Sequence, residues 1–404
     1  MTSPYFFFRP LVAADQSWAA MDWQSENPKT GHIDFARCFS GANASLLAKN
    51  LQLVVTAEPE WFTQGGVVDA YEAGQVIFIL PASCLVDAQV IERCKFHHSQ
   101  GYRFGVHIDK SETIRNVPLA VFDFLRFDAA CIYQDIEASD LAYAQDAGFG
   151  KIASKVGSHD MFHWLSERSF DLCDSQFLKA HHSLQGRDPD LARLKLLKLL
   201  NLVKDDGDTR EIEAIFREEP KLSYNLLRLV NFVAVGARTK ISNFSQAIAI
   251  LGRRQLQRWL QLLVYANNLA DANTPNPLMQ LAAARGHLLE LLSAQIDPAS
   301  KDSELKDHAF LTGLFSLLDV LINLPMKEIV KELPMHEDVV EALLTPGQGG
   351  ILSQLLAAIA AGEAGNFGSA IETLTRLNIS PETFAKAQVD SFYWASHINV
   401  EHQD

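Results

Sequence analysis

The chain has 404 residues, 48% hydrophobic and 21% charged, with a formal net charge of −14, the balance of an ordinary globular protein with room for two or three domains. So acidic a chain is not a nonspecific binder of nucleic acid or of anionic lipid surfaces, although a local basic pocket can still take a small anion. Cys38, Cys84, Cys94, Cys131 and Cys173 are scattered and form no C-x-x-C pair, which argues against a disulfide framework or structural zinc and for a reducing compartment.

The first apolar run, Tyr5–Phe8, is too short for a signal-peptide core and is stopped by Arg9 and Pro10. No segment reaches the apolar length of a bilayer span, so a cytoplasmic protein is expected. Further runs follow at 51–57, 76–80, 102–108, 121–127 and 151–156, the first extending over 5–12. They are rich in β-branched and aromatic residues and alternate with helix-like stretches. That order predicts α/β architecture with parallel strands, and six or more such units favour a barrel over an open sheet.

The wording of these strands resembles an EAL domain, the barrel that hydrolyses cyclic di-GMP, in the shortened form that precedes HDOD modules. Phe8-Arg9-Pro10-Leu11 stands for the opening R-Q-P-I-F-D, and Ala20-Met21-Asp22-Trp23 for the segment carrying the EAL glutamate. Gly101–Ile108, Arg126-Phe127-Asp128 and Ala153–Gly157 echo later strands. Hydrolysis in that family needs two divalent cations held by several carboxylates, so that an activated water attacks phosphorus. By this resemblance the chain offers Asp22, one methylene shorter than glutamate. At the other ligand positions it has Val55 or Thr56, Ile79, His107 and Ile108, Ser154 and Gly157. Arg126 replaces the lysine and cannot transfer a proton at neutral pH. Asp174-Ser175-Gln176-Phe177 falls where the family has Q-G-Y-F. One or two carboxylates cannot hold two hard cations, so no catalytic residue, metal or cofactor is expected. The barrel is degenerate on this reading. Arg9, Asp22, Arg126 and Asp128 remain as a candidate ligand site at its mouth, where a phosphate could meet Arg9 and Arg126. The plain alternative is that these arginines pair with local acids such as Asp22 and Asp128.

His159 and His163, four apart, lack an evident third ligand. Residues 183–190, SLQGRDPD, mark a linker between a barrel over 1–182 and an all-helical domain over 191–404. Helices are expected near 191–204, 209–218, 221–234, 243–252, 254–270, 277–295 and 303–323, with several more punctuated by prolines. Residues 219–252 pair two amphipathic helices whose wording, P-x-L-x-x-x-L-L-R-L-V-N then I-S-x-x-x-Q-A-I-x-x-L-G, resembles the core of HDOD domains. In catalytic HD relatives the helix at 310–319 carries an adjacent His-Asp pair; here Ser316-Leu317 stands in its place. GEAGNF at 362–367 resembles the downstream E-x-G-D-W turn of the same modules. His287, His308 and His336 do not fall two on one helix face, so no metal site is expected among them.

The expected protein is therefore a signalling protein with a degenerate EAL-type (β/α) barrel followed by an HDOD bundle, working by protein–protein binding. The resemblance implies diguanylate cyclases, histidine kinases or response regulators as partners. Cyclic di-GMP held in the barrel without hydrolysis is the first rival, and an active phosphodiesterase the second.

Overall fold

The aromatic opening of the chain becomes the first strand of a closed barrel. The computed structural model describes residues 4–25, 42–63, 68, 71–181, 261, 276–296, 303–331, 333 and 335–397. Its strands are β1 (Phe6–Val12), β2 (Trp18–Ser25), β3 (Gln52–Thr56), β4 (Val76–Pro81), β5 (Arg103–Ile108), β6 (Phe124–Asp128), β7 (Gly150–Ser154) and β8 (Leu172–Asp174). They pair in chain order around the barrel. Helices α1 (Ala42–Asn50), α2 (Glu60–Thr63), α3 (Ala88–Ser99), α4 (Ser111–Ile114), α5 (Ala129–Asp135), α6 (Ala138–Asp146) and α7 (His159–Glu167) fall between them. Several start on side-chain caps: Asp87 accepts from Gln89 and Val90 N–H, Asp128 from Ala130 N–H, and Ser158 from Met161 N–H.

The expected barrel is there, with two differences in detail. From β2 to β8 the pairing is parallel, but β1 runs antiparallel to both β2 and β8. Sequence reading also passes over β2 and β8 as strands. WAAMDWQS has no β-branched residue and breaks its apolar residues with Asp22, Gln24 and Ser25, and LCD is three residues long, so neither reads as a β-rich run. Leu11, Ala20, Val54, Ile77, Ile79, Ile152 and Leu172 form one buried cluster. Each of its larger aliphatic side chains contributes about 1.5–3 kcal/mol of burial.

By contact the chain divides into two units, Met1–Ala180 with Ala358–Tyr393, and His181–Ala357 with Trp394–Asp404. Sequence alone runs the helical half from 191 to 404; the structure instead groups Ala358–Tyr393 with the barrel. The reason lies in β1. Its pairing with β8 covers only Leu11 and Val12, which leaves the start of the strand with an open edge that must be covered. Within the first unit the end of α13 (Ile351–Glu363), α14 (Phe367–Arg376) and most of α15 (Pro381–Ser396) provide the cover. Gln388, 3% exposed, lies along that edge. Phe8 N–H donates to its Oε1 at 3.1 Å, and its Nε2 donates to Phe6 O at 2.7 Å, so a side-chain amide takes the part of a neighbouring strand. Phe7 stacks on Phe367 at 4.7 Å, and Tyr5 O–H donates to Ile379 O at 2.6 Å.

In the second unit are α8 (Pro277–Ile296), α9 (Ser303–Phe315), α10 (Leu318–Ile322), α11 (Met326–Lys331) and α12 (Glu337–Leu344). The helix expected at 277–295 forms; the one expected at 303–323 is broken at Ser316–Leu317. Side chains and backbone meet at this break. Arg285 Nη1 donates to Ser316 Oγ, and Ser316 Oγ donates to Gly313 O, each at 2.6 Å. Gly286 and Gly313 let α8 and α9 touch backbone to backbone. A Cβ on Gly313 would lie 2.5 Å from Arg285 O and 2.6 Å from Gly286 Cα. The helices expected between 191 and 270, including the pair at 219–252, lie outside the described residues except for Gln261. No described helix is long and apolar enough to cross a membrane.

Candidate functional site

In a barrel of parallel strands the C-terminal strand ends carry the site. Here they bring together Thr56 of β3, Ile79 of β4, His107 of β5, Arg126 and Asp128 of β6 and Ser154 of β7 around a cavity of about 620 Å³. Alternation along the strands explains the choice. Leu11 and Ala20 belong to the buried cluster, so Arg9 and Asp22, two residues along, share its face. Arg9, Gln24, Glu58, Lys155 and Gln176 complete the polar lining, and Ala364, Gly365 and Phe367 add the GEAGNF turn to it.

The charges at this mouth are largely committed to one another. Arg126 donates from Nη1 and Nη2 to the two carboxylate oxygens of Asp22, at 3.0 and 2.7 Å. Asp22 is fully buried and also accepts from Gln24 Nε2 at 2.5 Å. Arg9 lies 3.5 Å from Asp174 and donates to Glu363 O at 2.8 Å. Asp174 further accepts from the backbone N–H groups of Lys155, Val156 and Gln176. Burial pushes the Asp174 pKa up, against the pull of Arg9 and those three donors. Asp128 caps α5 and accepts from Lys155 Nζ at 2.6 Å. Lys155 itself sits at φ +57°, a left-handed conformation that costs a side-chain-bearing residue about 1–2 kcal/mol. Its N–H and Nζ contacts to Asp174 and Asp128 hold it there.

Burial lowers the His107 pKa below its ordinary value; the nearby Asp109 opposes the shift, and Arg126 adds to it. His107 thus stays a neutral imidazole near pH 7, able to donate one hydrogen bond and accept one. Glu58 and Asp128 are the acids on the lining, while Asp22 and Asp174 sit against Arg126 and Arg9. Such a set suits an anion that can borrow a guanidinium edge better than it suits two hard cations, which need clustered free oxygens.

Of the four site residues expected from sequence, Arg9, Arg126 and Asp128 line the cavity, and Asp22 holds Arg126 from behind. Of the paired alternatives, Thr56 and His107 line it; Val55 and Ile108 are buried away from it. Sequence reading passes over Lys155, Gln24 and the carboxylate role of Asp174. The D-S-Q turn after a three-residue strand is the available signal, since Asp174 caps that turn. His159, on α7, meets the edge of Phe177 at 5.2 Å.

Residues 190–333 carry an HDOD domain, most of which lies outside the described residues. The uncharacterized protein YuxH of Bacillus subtilis is 24% identical over 369 residues, covering 90% of this chain and 84% of YuxH. The cyclic di-GMP phosphodiesterase CdgJ of Vibrio cholerae is 24% identical over 249 residues, covering 61% of this chain but only 56% of CdgJ. Among solved structures, the PaMucR phosphodiesterase in complex with c-di-GMP matches at 12% identity and a TM-score of 0.35, over 45% of this chain and 95% of that one. The EAL domain of Mycobacterium smegmatis DcpA matches at 15% and 0.36, over 43% and 88%. These structural likenesses are weak, and the barrel rests on its own strand pairing.

Proposed function

We propose that this chain is a non-catalytic signal-transduction protein that works by binding other proteins, in a network that uses cyclic di-GMP or two-component signalling. The observation that carries this is the Asp22–Arg126 pair. Asp22 occupies the position that resembles the EAL glutamate, and a metal could claim it only by displacing a guanidinium held through two hydrogen bonds. Thr56, Ile79 and Ser154 stand at neighbouring strand ends and bring no carboxylate. The HDOD domain supports a signalling role, and the similarity to CdgJ supports the cyclic di-GMP context. Diguanylate cyclases, histidine kinases and response regulators are the partners this reading names. Incubating the full chain with cyclic di-GMP and magnesium or manganese should leave the dinucleotide intact by chromatography. Turnover that disappears in Asp22→Ala would overturn the reading in favour of an enzyme.

The mouth itself favours a second reading, a receptor that holds cyclic di-GMP without hydrolysing it. Arg9, Arg126 and Lys155 line a cavity of about 620 Å³, which can accept phosphate oxygens if the arginines share their acids. Calorimetry separates the two. Submicromolar binding that is abolished by Arg9→Ala or Arg126→Ala supports the receptor; its absence supports the adaptor.

A further inference from the structure

We propose that His308, His336 and Asp338 form a binding site for one divalent transition-metal ion of the zinc class. Spacing along the chain argues against a metal among these histidines, but the fold brings two of them to one carboxylate. The three residues come from two elements of the second unit. His308 lies on α9; His336 is the residue before α12, and Asp338 stands in its first turn. Asp338 reaches both rings, with Oδ2 3.0 Å from His308 Nδ1 and Oδ1 2.7 Å from His336 Nδ1. The imidazoles stack at 4.5 Å between centroids and 26° between planes. A ligand atom from each of the three residues lies within 4.8 Å of those from the other two. Zinc bonded to nitrogen and oxygen at 2.0–2.2 Å spaces tetrahedral ligands roughly 3.3 Å apart, so small side-chain rotations close the set.

The chemistry of the donors selects the ion. Two imidazole nitrogens and one carboxylate oxygen suit zinc, nickel or cobalt, whereas magnesium and calcium need more oxygen than one aspartate gives. The site is also open. The His336 side chain is 59% exposed and that of His308 17%, so water can reach the ion and fill a fourth position. A metal held there would tie α9 to α12 across about thirty residues of chain, and would stabilise the folded second unit by mass action. The plain alternative is a histidine–aspartate hydrogen-bond cluster that binds nothing.

The test uses the full chain, stripped with EDTA, dialysed, and titrated with zinc chloride by calorimetry and with cobalt(II) by visible absorption. One strong equivalent of zinc is expected, together with the intense visible bands of low-coordinate cobalt and a rise in melting temperature on adding zinc. Magnesium should not compete. His308→Gln and His336→Gln should each weaken zinc binding about tenfold or more and remove the cobalt bands. His336 is exposed enough that its variant should fold, and an unchanged circular dichroism spectrum checks this. No stoichiometric zinc binding by the unaltered chain, or binding equally tight in a folded His336→Gln, would overturn the site.

Discussion

Arg126 and Asp22, 104 residues apart in the chain, meet in the barrel as a two-pronged ion pair at 3.0 and 2.7 Å, with side chains 8% and 0% exposed. The pair joins β2 to β6 across the barrel interior. Removing one partner from a buried pair leaves an uncompensated charge, at a cost of about 3–5 kcal/mol. Asp22→Ala should therefore lower the unfolding free energy by that amount in urea melts. Asp22→Leu combined with Arg126→Met should recover most of the loss, because neither charge is then stranded. A single variant as stable as the parent would show that water, and not the partner, solvates the remaining charge.

Gln388 should be as important to the barrel as a strand residue. Its amide satisfies Phe8 N–H and Phe6 O on a buried edge, and each such group left unpaired costs about 1–3 kcal/mol. We expect Gln388→Leu to be destabilised by at least the lower figure and to lose amide protection at Phe8 in hydrogen exchange. A fragment ending at residue 182 should be less soluble than the full chain, since Phe7 and the edge of β1 lose their cover. Unchanged protection in Gln388→Leu would assign the edge to other partners.

The contact between α8 and α9 leaves no room for a methyl group at Gly313, because the atoms in the way are backbone. Over-packing of this kind costs about 1–3 kcal/mol. Gly313→Ala should lower the melting temperature, whereas Leu344→Ala, at an exposed site, should change it little. Equal melting temperatures for Gly313→Ala and the parent would mean that the two helices separate without penalty.

His107 should titrate below pH 6.5, because burial opposes its charged form and Arg126 and Lys155 add to that despite Asp109 and Asp128. The sign of the linkage follows. The unfolded chain takes up the proton first as pH falls, so the contribution of His107 to stability is present above pH 6.5 and is lost as pH drops towards the folded midpoint. Histidine-selective NMR reads that midpoint directly. An anion seated on Arg126 and Lys155 would raise it, and a midpoint at or above 6.5 in the free protein would contradict the assigned environment.

The barrel is legible in the chain alone, because short β-branched and aromatic runs at 51–57, 76–80, 102–108 and 151–156 can be buried on both faces only between covering helices. The candidate residues Arg9, Asp22, Arg126 and Asp128 come with the resemblance to EAL strands, and three of them, Arg9, Arg126 and Asp128, line the cavity. Strands β2 and β8 are not legible, because β2 lacks β-branched residues and carries the buried Asp22, and β8 is only three residues long. The return of Ala358–Tyr393 to β1 is hidden too, since a glutamine taking the place of a strand leaves no periodic trace. The pairing of Arg126 with Asp22, and the meeting of His308 and His336 at Asp338, arise only when distant elements pack. Charges and imidazoles become neighbours there through folding in three dimensions, and spacing along the chain carries no record of it.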